Sequence, residues 1–270
     1  LSLHDALPIW MAFVRTFHLG REKFEMKPAV ILVGADKGGV GKTTVCRVLL
    51  DYLAANNVVT RAFDTESPRG TLKRFHPAIT EIVDIEHTPD QMKIIDTLNS
   101  TGAKVSVIDV RAGQMGATLV ALRDIGFLEA AQKGDFTFIV FHILGPSISS
   151  LDEISEIAPF VHDANYFLVK NFINETTFFE WDPRTYASYF RKIKHAGDIT
   201  IPKLNEMAFE QVEIAGVPFS AFINNQTAEG DTAKYSFVLR GYVRTWLKNV
   251  AAEFDRVGLL ATLGAKIVRK

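Results

Sequence analysis

Residues 29–50, AVILVGADKGGVGKTTVCRVLL, run from an unbroken apolar stretch through a glycine-rich turn into an amphipathic segment. This succession constrains the fold more than any other part of the chain. Six apolar or small residues in a row, AVILVG, suit a strand covered on both faces, as in parallel sheets. The segment 42–56 that follows puts Val45, Val48, Leu49, Tyr52 and Leu53 on one helical face. A strand that feeds straight into a helix through a tight glycine loop is the opening of an α/β unit.

The same alternation continues along the chain. Strands are predicted over 58–64, 104–110, 135–144, 165–172 and 198–202, and helices over 88–99, 115–131, 149–161 and 204–216. Thr88 is expected as an N-cap with Pro89 in the first turn. Gly126 sits inside one predicted helix, and Pro159 should end or bend another. Residues 174–198, with an aromatic cluster around Trp181 and a helical pattern over 186–197, read as an insertion, and 234–261 as one long C-terminal helix. The pattern predicts an α/β fold with a mostly parallel central sheet and helices on both faces. In such sheets ligands bind beyond the carboxyl ends of the strands, so the residues just after each strand carry the functional reading.

After the first strand stands DKGGVGKTT, residues 36–44. Closely spaced glycines let successive backbone N–H groups converge on an anion, and the next helix points its positive end at it. In that pattern Gly38, Gly39, Val40, Gly41, Lys42, Thr43 and Thr44 would hold a nucleotide. Lys42 would reach the β- and γ-phosphates and the Thr43 hydroxyl would bind Mg²⁺. The ordinary phosphate-loop pattern wants glycine at position 36; this chain has Asp36 there, and a second lysine, Lys37, next to it.

KGGVGKTT resembles the deviant Walker A motif of the MinD/ParA group of P-loop ATPases. In that group the early lysine crosses a dimer interface to the partner's nucleotide, and Lys37 occupies its position. The resemblance implies an ATP- and Mg²⁺-dependent homodimer that engages a partner protein or cargo. It also implies catalytic roles for Lys37, Lys42, Asp64 and Glu66, and metal binding by Thr43, Asp64 and Asp109. AFDTES, residues 62–67, is similar to the family's second-strand motif. Asp64 matches its first acid, and Glu66 stands where the family keeps the Asp that orients the attacking water. VSVIDVRAG, residues 105–113, resembles its Walker B and second switch, with Asp109 in the Mg²⁺ shell through water and the Gly113 N–H approaching the γ-phosphate. Arg111 replaces the usual proline, either sensing phosphate or pairing with a carboxylate. Asn171 and Pro202 match residues that border the adenine. The resemblance covers 29 to about 220, and the details of 62–75 lean towards plasmid-transfer and stability ATPases (TraL/StbC-like). The alternatives on one scaffold are a metabolite enzyme of the dethiobiotin synthetase or cobyrinate amidase type, with 174–198 covering a substrate, and a nucleotide sensor with negligible hydrolysis.

Composition narrows the partners. The 270-residue chain is 47% hydrophobic with a formal charge of −1, so no global field draws it to nucleic acid or membrane. From Arg184 onward 13 Lys/Arg face 8 Asp/Glu, which allows weak nonspecific DNA binding and no more. The short, Gly-broken LLATLGAKIVRK terminus argues against membrane attachment. A single cysteine, Cys46, fits a reducing, cytoplasmic setting. His76, His87, His142 and His162 show no metal-ligand spacing and read as surface or satisfied polar residues. Residues 1–25 fit poorly with the rest: LSLHDALPI resembles a translated sequencing adapter, and the expected start is Met26, or else Met11. A basic targeting peptide is disfavoured by Glu22 and Glu25. The reading is one domain over 26–270, preceded by a non-native or disordered extension.

Overall fold

The computed structural model describes residues 27–98, 100, 102–173, 176–178, 188, 193 and 195–264. The extension 1–25, Trp181 and most of the 174–198 insertion lie outside the described residues. The described strands are β1 (Ala29–Gly34), β2 (Thr60–Asp64), β3 (Thr80–Ile82), β4 (Val105–Asp109), β5 (Thr137–Leu144), β6 (Asn165–Asn171) and β7 (His195–Ile201). They form one parallel sheet in the order β3-β2-β4-β1-β5-β6-β7.

The helices are α1 (Lys42–Ala55), α2 (Thr71–Phe75), α3 (Thr88–Ile95), α4 (Met115–Asp124), α5 (Phe127–Lys133), α6 (Ile148–Val161), α7 (Glu206–Ala215), α8 (Phe219–Ile223), α9 (Phe237–Arg256) and α10 (Leu259–Thr262). They cover both faces of the sheet. Strand period two divides the core: Ala29, Ile31 and Val33 of β1 pack with α1, α7, α8 and α9, while Val30 and Leu32 pack with α3, α4 and α6. Every residue of β1 is buried, as its continuous apolar run requires. β1 lies between β4 and β5, so successive crossovers leave it in opposite directions and open a crevice at its carboxyl end.

Several sequence expectations are corrected. β3 was not expected; with three residues at the sheet edge, one of them the exposed Glu81, it is too short to show an alternating pattern. The predicted helix over 115–131 is two, α4 and α5, because Gly126 takes φ 74°. The long C-terminal helix breaks in the same way at Gly258, φ 65°, into α9 and α10. α3 starts at Thr88 itself, after His87, and ends at Ile95, short of the expected 99. Pro159 lies inside α6, which continues to Val161. Residues 195–197, read as the end of a helix, are the first residues of β7, because β6 offers a paired backbone along its whole length.

One buried acid ties α1 to α8. Asp51 accepts hydrogen bonds from the Ser220 backbone N–H, at 3.3 Å, and from the Ser220 hydroxyl. Burial pushes its pKa from 3.8 to about 6, against the opposing effect of the Ser220 bonds. The folded chain therefore keeps a proton on Asp51 where the unfolded chain has released it. That contribution to stability grows as pH falls through about 6 and is complete below the unfolded value. Asp51→Asn is expected to gain stability relative to wild type, by roughly 2–3 kcal/mol, between about pH 4 and about pH 8. Thermal melts showing a constant difference across that range would refute it.

Candidate functional site

The glycine loop emerges from the carboxyl end of β1 and is held from two sides. From β6, Asn171 Nδ2 donates to Val40 O at 2.9 Å. A Cβ on Gly41, whose φ is 87°, would stand 2.2 Å from that same nitrogen, so only glycine allows the approach. From α6, Glu153 Oε2 accepts the Asp36 backbone N–H at 3.3 Å. Glu153 is itself buried beside His142 Nε2 at 3.4 Å, and His142 Nδ1 lies 2.7 Å from the Tyr166 hydroxyl. His142 is thus a satisfied core polar residue, as expected. Glu153 as a loop anchor was missed, because nothing in helical spacing marks one acid of α6 as buried.

The two lysines behave differently. Lys42 is 8% exposed, and its Nζ donates to Lys37 O at 3.0 Å. Burial lowers its pKa, while Asp109, Cys46, Glu66 and Glu153 act to raise it. Its ammonium is therefore held in a desolvated, acid-ringed position within the loop. Lys37 turns towards α6 and donates to the Ser147 hydroxyl of its own chain.

Thr43, at the start of α1, donates to Asp109 Oδ2 at 2.8 Å. Asp109 ends β4 in register with Val33 of β1 and Asp64 of β2. Burial raises its pKa to about 7; the Thr43 bond opposes this, the Asp64 charge adds to it, and Lys42 opposes it. Among the described residues no group of three or more His, Cys, Asp or Glu is placed to hold a metal ion by itself. A hydroxyl beside a buried carboxylate with raised proton affinity nonetheless fits Mg²⁺, which keeps most of its waters and takes one or two protein ligands with phosphate oxygens.

Asp64 has other work. Its Oδ1 accepts the Glu66 N–H at 2.9 Å, and its Oδ2 accepts the Leu72 and Lys73 N–H groups at 2.7 and 3.3 Å. Both oxygens shape the 64–72 turn and cap α2. Glu66 Oε2 accepts from the Thr71 hydroxyl, and its charge is felt at Lys42. Gly113, with φ 75°, lies across from Asp36 O, which brings the turn after β4 alongside the glycine loop. Gly38 faces the same turn, its Cβ position 3.9 Å from the Ala112 Cβ. Arg111 is exposed and forms no ion pair among the described residues. Among the described residues no acid lies within ion-pair distance of its guanidinium, so nothing described supports the carboxylate-pairing reading of Arg111.

Beside the start of α1 opens a cleft of about 430 Å³, lined by Thr44, Asn171, Pro202, Phe209, Glu213 and Trp246 among others. Pro202 O accepts the Trp246 indole N–H at 2.6 Å, closing one wall. Asn171 and Pro202, which the resemblance sets beside one base, line this cleft together with Thr44 of the glycine loop. Phe209, Glu213 and Trp246 were missed, because they come from α7 and α9, whose packing on each other and, for α9, on β7 has no local sequence signal.

A glycine loop at the switch point of a parallel sheet, followed by Lys-Thr and faced by a strand-end Asp, gives the chain a P-loop fold of the MinD/ParA type. No protein-family model matches the chain, and no curated protein matches it. Among solved structures the chain is similar to the septum site-determining protein MinD complexed with Mg-ADP from Pyrococcus horikoshii OT3, at 18% identity over 90% of this chain and 100% of that one, with a TM-score of 0.51. It is similar to a ParA family ATPase from Chlorobium tepidum TLS, at 11% identity over 82% and 98% of the two chains, with a TM-score of 0.51. A third is a putative plasmid partition protein from Borrelia burgdorferi B31 bound to AMPPNP, at 14% identity over 85% and 99%, with a TM-score of 0.51. These likenesses are of fold.

Gly41→Ala is expected to destabilise the chain by about 2 kcal/mol or more, from the left-handed backbone and the Asn171 clash together. Adding Asn171→Ala should recover only the part due to the clash. Urea titrations in which the double variant is as stable as Asn171→Ala alone would show that the backbone conformation carries no cost.

Proposed function

We propose that this chain binds ATP with Mg²⁺ on the 36–44 loop and hydrolyses it as a dimerisation switch of the MinD/ParA type. Two subunits close over the nucleotide and engage a partner protein or cargo, as in partition, conjugative transfer or cargo positioning, and hydrolysis reopens them. One observation carries this reading. A buried lysine, Lys42, and the Thr43–Asp109 pair stand together at one end of a glycine loop that β6 and α6 hold open.

In this reading the loop N–H groups of Gly38 to Thr44 cradle the phosphates, and Lys42 neutralises charge on the β- and γ-phosphates. Thr43 and Asp109 would hold Mg²⁺, whose charge would screen that of the phosphates. Asp64, occupied by backbone N–H groups, acts by fixing the Glu66 segment. Lys37, released from Ser147, serves the neighbouring subunit's nucleotide. Asn171 gives one of its two amide N–H donors to Val40 O and lines the cleft together with Glu210 and Glu213, where the base would sit. The Lys170-Asn171 pair does not form the Asn-Lys-x-Asp pattern of GTP binders, so ATP is the proposed nucleotide. Among the described residues no helix is long and apolar enough to cross a membrane, and the proposed setting is cytoplasmic. Weak nonspecific DNA contact through the C-terminal third belongs to the same proposal.

Lys42→Ala should abolish MgATP binding. Lys37→Ala should keep monomer binding within a few-fold but lose the ATP-dependent shift in sedimentation. A Lys37→Ala protein that still dimerises on ATP contradicts the switch. A nucleotide sensor with negligible hydrolysis is the second reading, favoured because the Glu66 carboxylate is engaged by Thr71. Steady-state turnover of Glu66→Asp decides between them: a gain of about tenfold or more, as restored positioning predicts, supports the sensor, and a loss supports the switch.

A further inference from the structure

Arg47 lies on α1, one helical turn beyond Thr43 and Thr44, and is 1% exposed. Its guanidinium carbon stands 3.4 Å from the centroid of the Phe75 ring of α2 and 4.3 Å from that of the Phe219 ring of α8. Nη1 donates to Glu213 Oε1 of α7, while Nε and Nη2 have no hydrogen-bond partner among the described residues. Apart from Lys42 at its start and Asp51 against Ser220, α1 fills its other buried positions with Val45, Cys46, Val48, Leu49, Leu50, Tyr52 and Leu53. An apolar side chain between two rings would pack equally well and avoid the desolvation of a guanidinium. What a guanidinium adds is the link to Glu213.

Glu213 is one wall of the cleft. Its backbone carbonyl also accepts from Arg74 Nη2 at 2.6 Å, and the Arg74 guanidinium lies 5.1 Å from the Phe75 ring. Two arginines thus fasten the C-terminal end of α2 to α7. The N-terminal end of α2 is fastened to Asp64 and Glu66 through Leu72, Lys73 and Thr71. α2 is a short rigid piece held between the cleft wall and the segment whose Glu66 charge reaches Lys42.

We propose that Arg47 is a positioning residue: through Glu213 and Phe75 it locks the Glu66 segment to the cleft wall, so that a nucleoside triphosphate seated against α7 also orders the segment facing its phosphates. This rests on the nucleotide reading above. The test uses the full chain and hydrogen exchange at the Leu72, Arg74 and His76 amides, which bond to Asp64 Oδ2, Gly70 O and Leu72 O. In ligand-free protein, Arg47→Met, which refills the slot with an apolar chain, is expected to speed exchange there by about tenfold or more. Mg·AMPPNP should add protection at these amides in wild type. In Arg47→Met that added protection should vanish while affinity for Mg·AMPPNP stays within about threefold, a split that a merely structural residue does not produce. Glu213→Ala should have the same effect on exchange, and combining the two should add little.

Unchanged ligand-free exchange in Arg47→Met, or fully additive effects of the two substitutions, overturns the proposal. Should Arg47→Met fail to fold, Glu213→Gln, which keeps the acceptor and removes the charge, carries the same comparison, and unchanged exchange again overturns it. A wild type that binds no Mg·AMPPNP overturns the nucleotide reading, and with it the ligand-coupled part. The ligand-free exchange then judges the clamp on its own.

Discussion

The close approach of the Asn171 amide to the glycine loop is the contact on which the site depends. A loop of glycines has little reason to hold one shape: it lacks side-chain packing and loses more backbone entropy than any other sequence on ordering. Here β6 supplies a donor to Val40 O and α6 supplies a buried carboxylate to the Asp36 N–H. The loop is therefore ordered by groups more than a hundred residues away. The lysine that ends it is kept desolvated, where one charge acts most strongly on a phosphate.

Around that loop the acids divide their labour by environment. Asp64 and Asp109 sit side by side at the ends of neighbouring strands, yet backbone N–H groups saturate one, while the other faces a hydroxyl and a lysine. Burial raises the proton affinity of Asp109, and repulsion from the neighbouring Asp64 carboxylate adds to it. That surplus negative charge is what a divalent cation would neutralise. The same arrangement makes Asp64 a support for the Glu66 segment.

The second face of the molecule is organised around a buried cation. Arg47 joins α1, α2, α7 and α8 in one contact set, an expensive choice for a core when a methionine would fill the space. Together with Asp51 and Ser220, it places polar interactions between α1 and the helices that wall the cleft. The helix that begins at the phosphate loop is thereby coupled along its length to the elements that would meet the base.

The sequence by itself determined the fold class, the central strand and the loop chemistry. An apolar run of six, glycines at the turn and Lys-Thr at a helix start are local patterns, each dictated by backbone geometry or by helix periodicity. It also marked the strand-end residues Asp64, Asp109, Asn171 and Pro202, because strand ends are legible from where apolar runs stop. What those side chains do was decided only in three dimensions. Asn171 turns its amide to Val40, and Asp64 gives both oxygens to the α2 turn. Arg47, Glu153 and Glu213, all unremarked in the sequence, became structural hubs. A hydrogen bond or an arginine stack joins groups distant along the chain, and no local periodicity records which of them will meet. Tertiary packing also set the breaks at Gly126 and Gly258, where a left-handed backbone redirects a helix that its apolar spacing alone would have continued.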